Sequence, residues 1–94
     1  MIRVFLARRA ASGLKRLAPA TQGACVRALR ELPAAFGRPH VHAGLGIRQL
    51  RPGLYELRVN LVLRAVFVRA ADALEVQMIG NHAEVRQYLR GYGS

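Results

Sequence analysis

Polar side chains recur at alternate positions inside otherwise apolar runs in the second half of the chain. In Tyr55-Glu56-Leu57-Arg58-Val59, an extended backbone places Glu56 and Arg58 on one side and Tyr55, Leu57 and Val59 on the other. In the following run, Leu61, Leu63, Ala65 and Phe67 share an apolar face, and Arg64 opposes them between Val62 and Val66. Within Leu74–Ile79, Gln77 lies opposite Val76 and Met78, which alternation puts in phase. Gly80 breaks that run, and His82 and then Tyr88 come after it. With the apolar faces packed on helices, Glu56, Arg58, Arg64 and Gln77 would project together, with His82 and Tyr88 at their margin.

A carboxylate, two guanidiniums, an imidazole and a phenol over one sheet surface suit metal-free cleavage of RNA. The 2′-hydroxyl must lose a proton as it attacks its own phosphate, and Glu56 can take it. Negative charge then builds on the phosphorane oxygens, where Arg58 and Arg64 would stabilise it. The 5′-oxygen leaves more readily when His82 donates a proton, because histidine titrates near working pH. Tyr88 could orient the phosphate or stack on a base. DNA lacks the 2′-hydroxyl and would not react by this route.

Each residue also has a plainer reading, and at this level both stand. Glu56 with Arg58 and Arg64 can be a salt-bridged polar sheet face. His82 can be a capping or packing residue, and Tyr88, three positions after Val85, can be core. Cys25 falls on an apolar helical stripe and reads as core rather than nucleophile. Pro39-His40-Val41-His42 contains a histidine pair, but no third ligand stands beside it, so a solvated or RNA-facing loop is expected and no metal. Ser12 and Ser94 are the only serines, which leaves serine chemistry almost without candidates.

The surrounding elements follow from period and punctuation. Met1–Leu6 reads as an opening strand, and Ala7–Leu17 as a helix with Leu14 and Leu17 on its apolar side. Pro19 interrupts it, and Thr21 is the expected N-cap of a second helix that ends near Leu32 or Phe36. Cys25, Val26, Leu29 and Leu32 form the stripe of that helix, and Pro33 bends or ends it. Gly37–Gly46 is a glycine-rich loop, after which the period changes from about 3.6 to 2. Ile47–Leu50 is a short strand candidate, and Pro52-Gly53 a turn with proline and glycine at the two central positions. Leu54–Val59, Leu61–Arg69 and Leu74–Ile79 follow as strands, then Asn81 as a cap and Ala83–Arg90 as a helix. The class is α+β: an N-terminal strand, a helical hairpin, a mostly antiparallel twisted sheet of about four strands, and a short C-terminal helix.

Composition narrows the partners. The 94 residues suit one domain, 1–94. Fifteen Lys and Arg against five Asp and Glu give a net charge of +10, and Lys15 is the single lysine. Self-repulsion of that size calls for a polyanion, either a nucleic acid or an acidic protein. A hydrophobic content of 52% excludes a disordered polycation. No apolar run reaches the roughly 18–20 residues of a membrane span, Met1–Leu6 lacks the long apolar centre of a signal peptide, and the lone Cys25 cannot form an internal disulfide. The expectation is a soluble, cytoplasmic protein with no cofactor.

Three strings resemble the RelE/ParE superfamily of toxins from bacterial type II toxin–antitoxin systems. They are Gly46-Ile47-Arg48-Gln49-Leu50-Arg51-Pro52-Gly53-Leu54-Tyr55-Glu56-Leu57-Arg58-Val59, then Leu63-Arg64-Ala65-Val66-Phe67, then Ile79-Gly80-Asn81-His82. The third is similar to the glycine-x-histidine ending of YafQ- and YoeB-like members. The likeness spans nearly the whole chain and implies a ribosome-dependent mRNA endoribonuclease that inhibits translation. By position it implies that Arg64 contacts the scissile phosphate and that Glu56 and Arg58 occupy alternating positions of the active face. It further makes His82 the general acid and Tyr88, six residues later, the functional tyrosine. Arg48, Arg51 and Gln77 are expected to bind RNA. The paired lysines of RelE are absent, and Leu63 stands where the family has an aromatic. The resemblance also implies an acidic antitoxin as partner. Two rivals remain: a ParE-like inhibitor of DNA gyrase, and a non-catalytic module that binds RNA or antitoxin.

Overall fold

The structure is a computed structural model and describes residues 2–38 and 46–92. The histidines His40 and His42 lie outside the described residues. Strand β1 (Arg3–Leu6) leads into helix α1 (Arg8–Lys15) and helix α2 (Pro19–Ala35). Strands β2 (Ile47–Arg51), β3 (Leu54–Arg58), β4 (Leu63–Ala70) and β5 (Ala73–Asn81) follow, and helix α3 (His82–Gly91) closes the chain.

The strands form one five-stranded sheet in the order β1-β5-β4-β3-β2. The four C-terminal strands are a hairpin-linked antiparallel meander, as the short turns between them require. Strand β1 pairs parallel with β5, Arg3 opposite Ala73 and Leu6 opposite Val76, so the sheet is mixed and has one strand more than expected. A parallel partner needs a long crossover, and α1 and α2 lie within it.

Helix boundaries differ from expectation at the start of α2. Ala18, not Thr21, is its N-cap, and Pro19 occupies the first turn. Proline has no N–H to leave unbonded there, and its restricted φ suits a helix start, so the residue expected to interrupt one helix begins the next. The helix passes Pro33 and closes with the Phe36 N–H donating to the Leu32 carbonyl at 2.9 Å. Between β2 and β3, Gly53 adopts φ +76°, the left-handed conformation that its turn position demands.

The core divides between the two sheet faces. Against α1 and α2 lie Leu57, Leu63, Ala65, Phe67, Leu74, Val76 and Ile79, packed with Ala10, Cys25, Leu29 and Leu32 from the helices. Phe36, Tyr55 and Phe67 form an aromatic cluster there, with ring centroids 4.9–5.7 Å apart. A second, smaller cluster of Leu54, Val66, Met78 and Val85 occupies the opposite face, with Tyr88 and Leu89 packed on it. That face is therefore not wholly polar: α3 covers one part, and the polar residues emerge beside it.

Two details of strand phase depart from simple alternation. Leu61 is 88% exposed and lies in the β3–β4 turn rather than on the apolar face. The side chain of Asn60 causes this: its Oδ1 accepts from the N–H groups of Val62 and Leu63 at 2.8 and 2.7 Å, curling the chain before β4 begins. In β5, Val66 opposes Met78 but Phe67 opposes Val76, which leaves Gln77 as the extra residue of a β-bulge. Val76 thus enters the helix-facing core while Met78 enters the other cluster, and the two are out of phase.

Candidate functional site

On the face shared with α3, a cavity of about 450 Å³ is lined by Gly46, Ile47, Arg48, Glu56, Arg58, Arg64 and His82. Three adjacent strands build it. Arg48 of β2 is directly opposite Glu56 of β3, and Arg58 of β3 is directly opposite Arg64 of β4. Residues opposite one another in a ladder point to the same face, so these registers bring three guanidiniums and a carboxylate together.

Glu56 is the one buried charged residue among the described residues, 5% exposed. Its Oε1 faces Arg48 Nη2 at 3.4 Å and Arg64 Nε at 3.7 Å. The two partners differ in setting: the Arg48 side chain is 66% exposed and that of Arg64 11%. A carboxylate removed from water needs such partners, and Arg64 is the one held in place. Its Nη1 donates to the Asn60 carbonyl at 2.8 Å and makes longer contacts with the Leu63 and Leu61 carbonyls at 3.3 and 3.4 Å. With Nε turned to Glu56 and Nη1 to the turn, Nη2 is the donor group that these contacts leave over.

His82 is the first residue of α3 and is exposed at the cavity wall. A reciprocal capping box holds it there. The Glu84 N–H donates to Asn81 Oδ1, and the Asn81 N–H donates to Glu84 Oε1, both at 2.8 Å. Glu84 folds back over Gly80, where a Cβ would stand 2.8 Å from Glu84 Oε1 and 3.0 Å from its Cβ. Gly80 is also directly opposite Arg64, so the residue that permits the cap adjoins the strand position of the anchored arginine. The sequence reading found the Asn81 cap but not Glu84. The Asn-x-x-Glu spacing at the end of an apolar run was the available signal.

The other candidates are placed elsewhere. Tyr88 lines a separate cavity with Arg9, Gln87, Gly91 and Tyr92. The Arg9 guanidinium stands 5.4 Å from the Tyr88 ring centroid, and Tyr92 lies 5.9 Å away, centroid to centroid. Burial is the main cause that raises the Tyr88 phenol above its usual range; Tyr92 and Glu75 add to it and Arg9 opposes it. A phenol held neutral in this way is a poor proton acceptor at neutral pH. Gln77, displaced by the bulge, donates its amide to Glu75 and is not among the residues that line the Glu56 cavity. Arg51 is exposed at the far end of β2 beside the Pro52-Gly53 turn, also off that cavity. Arg48, by contrast, is in the wall of the Glu56 cavity, where it is an ion-pair partner of Glu56. Cys25 is completely buried, and burial raises its thiol above the ordinary range.

Among the described residues no group of three or more His, Cys, Asp or Glu could hold a metal ion. No described helix is long and apolar enough to cross a membrane.

A mixed sheet with a helical pair on one face and a C-terminal helix on the other is the fold that solved RelE toxin structures share with this chain. The solved structures it resembles include the archaeal RelE–RelB complex from Pyrococcus horikoshii OT3, with a TM-score of 0.68 at 14% identity over 85% of this chain and 93% of that one. The intact E. coli RelBE toxin–antitoxin complex superposes with a TM-score of 0.65 at 17% identity, over 86% and 96% of the two chains. The YoeB–YefM complex from Staphylococcus aureus gives 0.64 at 16% identity, over 87% and 98%. No protein-family model and no curated protein sequence matches the chain.

Proposed function

We propose that this chain is the toxin of a toxin–antitoxin pair and acts as a metal-independent endoribonuclease on mRNA at the ribosome. One observation carries the reading: Arg48, Glu56, Arg58, Arg64 and His82, from three strands and a helix N-terminus, line one cavity on a RelE-like fold. A cavity of about 450 Å³ is within the ordinary range for a small-ligand site and has room for a phosphodiester with its sugar.

In this mechanism Glu56 accepts the proton of the 2′-hydroxyl as that oxygen forms a bond to the adjacent phosphorus. Arg64, through Nη2, and Arg58 from the facing strand position stabilise the charge on the phosphorane oxygens. The bond from phosphorus to the 5′-oxygen breaks as His82 donates its proton there, leaving a 2′,3′-cyclic phosphate and a 5′-hydroxyl. Arg48 holds Glu56 from the solvent side and, with Arg51, supplies phosphate contacts. Tyr88 is outside this set and serves the packing of α3. The fold neighbours solved as complexes, the E. coli RelBE toxin–antitoxin complex among them, support a protein partner, the net charge of +10 makes it an acidic one, and a cytoplasmic site of action follows from an mRNA substrate.

The test is in vitro translation with added protein, mapping mRNA ends by primer extension, with His82→Ala and Glu56→Gln in parallel. The expected result is cleavage at ribosomal A-site codons that both substitutions abolish. Intact mRNA with normal translation overturns the reading, and inhibition of gyrase supercoiling would then identify the other class of toxin.

A further inference from the structure

The β3–β4 turn does more than connect two strands. Asn60 accepts from two successive backbone N–H groups, those of Val62 and Leu63, and this holds the turn in one shape. The Leu63 carbonyl in turn accepts from the N–H groups of Val59 and Asn60 at 2.9 and 3.4 Å, closing the turn from the other side. The carbonyls so arranged, of Asn60, Leu61 and Leu63, surround Nη1 of Arg64. An arginine side chain has many rotamers to lose, and a fixed cluster of acceptors removes that freedom before any substrate arrives. Leu61 and Val62, 88% and 66% exposed, bury little that could hold the turn by packing. Beside the backbone bonds to the Leu63 carbonyl, the side-chain amide of Asn60 is therefore the one side-chain group that shapes it.

We propose that Asn60 is a positioning residue that acts through Arg64: its Oδ1 fixes the turn whose carbonyls aim the guanidinium at the reacting phosphate. The inference deepens the ribonuclease reading and rests on it for the kinetic consequence. Its structural half, the ordering of Arg64, stands apart from catalysis.

Asn60→Ala removes the one oxygen that accepts both turn hydrogen bonds and substitutes no residue of the cavity wall. Asn60→Asp keeps a side-chain oxygen at the same position. The expected kinetic result is a fall in kcat of about tenfold for Asn60→Ala with KM changed less than twofold, because displacing a catalytic group by a fraction of an ångström affects the transition state most. Asn60→Asp should recover most of the rate. In an Arg64→Ala background, Asn60→Ala should cost nothing further, the non-additivity expected of residues acting as one unit. Independently of activity, NMR relaxation of the arginine Nε–H groups should show Arg64 ordered in the parent chain, mobile in Asn60→Ala and ordered again in Asn60→Asp. An Arg64 signal equally ordered in Asn60→Ala, or additive losses in the double variant, overturns the proposal. Absence of cleavage by the parent chain would overturn the ribonuclease reading, while the NMR comparison would still decide whether Asn60 orders Arg64.

Discussion

Arg58 and Arg64 are directly opposite one another across β3 and β4, two guanidiniums on a single rung of the ladder. Like charges so placed destabilise a sheet, here beside the one buried carboxylate that the described residues contain. Arg64 is neutralised on one side by Glu56, whereas Arg58 has no ion-pair partner among the described residues. On the proposed reading, the rung is an anion site that is strained without its anion. Arg58→Gln should therefore raise the stability of the free chain by about 0.5 kcal/mol. The same substitution should weaken RNA binding, a pairing of effects that denaturant titration and fluorescence anisotropy would show together.

Salt should separate the phosphate-binding arginines from those that act structurally. The logarithm of RNA affinity should fall linearly with the logarithm of salt concentration, and Arg58→Gln or Arg51→Gln should reduce that slope by about one each. Arg9→Gln, which removes a cation from the Tyr88 ring rather than from the cavity wall, should leave the slope almost unchanged.

Tyr88 and His82 should behave differently on mutation, since they line separate cavities. Removing a general acid costs about 10²-fold or more, so His82→Ala should lose cleavage by at least that factor. Tyr88→Phe keeps the ring packed on the cluster of Leu54, Val66, Met78 and Val85 and should retain cleavage within about threefold. A 10²-fold loss in Tyr88→Phe would show that the hydroxyl reaches the substrate after all.

Gly80→Ala tests how His82 is held. The added Cβ meets the Glu84 side chain at 2.8 Å, and either Glu84 leaves the capping box or α3 shifts. Loss of the cap should cost about 1 kcal/mol of stability and move His82 with the helix start. Cleavage should fall further than the stability change explains, which thermal melts and cleavage rates on the same samples would reveal.

Cys25 gives a handle on the core and on alkaline stability. Fully buried against α1 and the sheet, it should resist alkylation in the native chain and react once denatured. Because burial raises the folded-state pKa, the thiol contributes no pH dependence while it is protonated in both states. As pH rises above about 8.5, the unfolded chain ionises first and stability falls. Cys25→Ala should flatten that alkaline decline in equilibrium unfolding measurements, at the cost of a small cavity.

How much of this was legible in the sequence differs from element to element. Alternation along a strand is a local steric property, so Glu56, Arg58 and Arg64 could be assigned to one side before any fold was known. The Pro52-Gly53 turn and the Asn81 cap were equally local, since each is satisfied within a few residues. Register, bulges and crossings have no such signal. The placement of Arg58 against Arg64 and of Arg48 against Glu56 is set by how three strands align over the helical core, not by any one of them. The bulge at Gln77 lets Val76 fill the helix-facing core while Met78 fills the other cluster, a demand that arises only when both faces are packed. Tyr88 was read as a site residue from its spacing six positions after His82, and the structure places it in a separate cavity beside Arg9 of α1. The chain alone thus determined which residues are available to carry the proposed chemistry, through periods of two and 3.6. Tertiary structure decided which of them meet, because that depends on contacts between segments far apart in sequence.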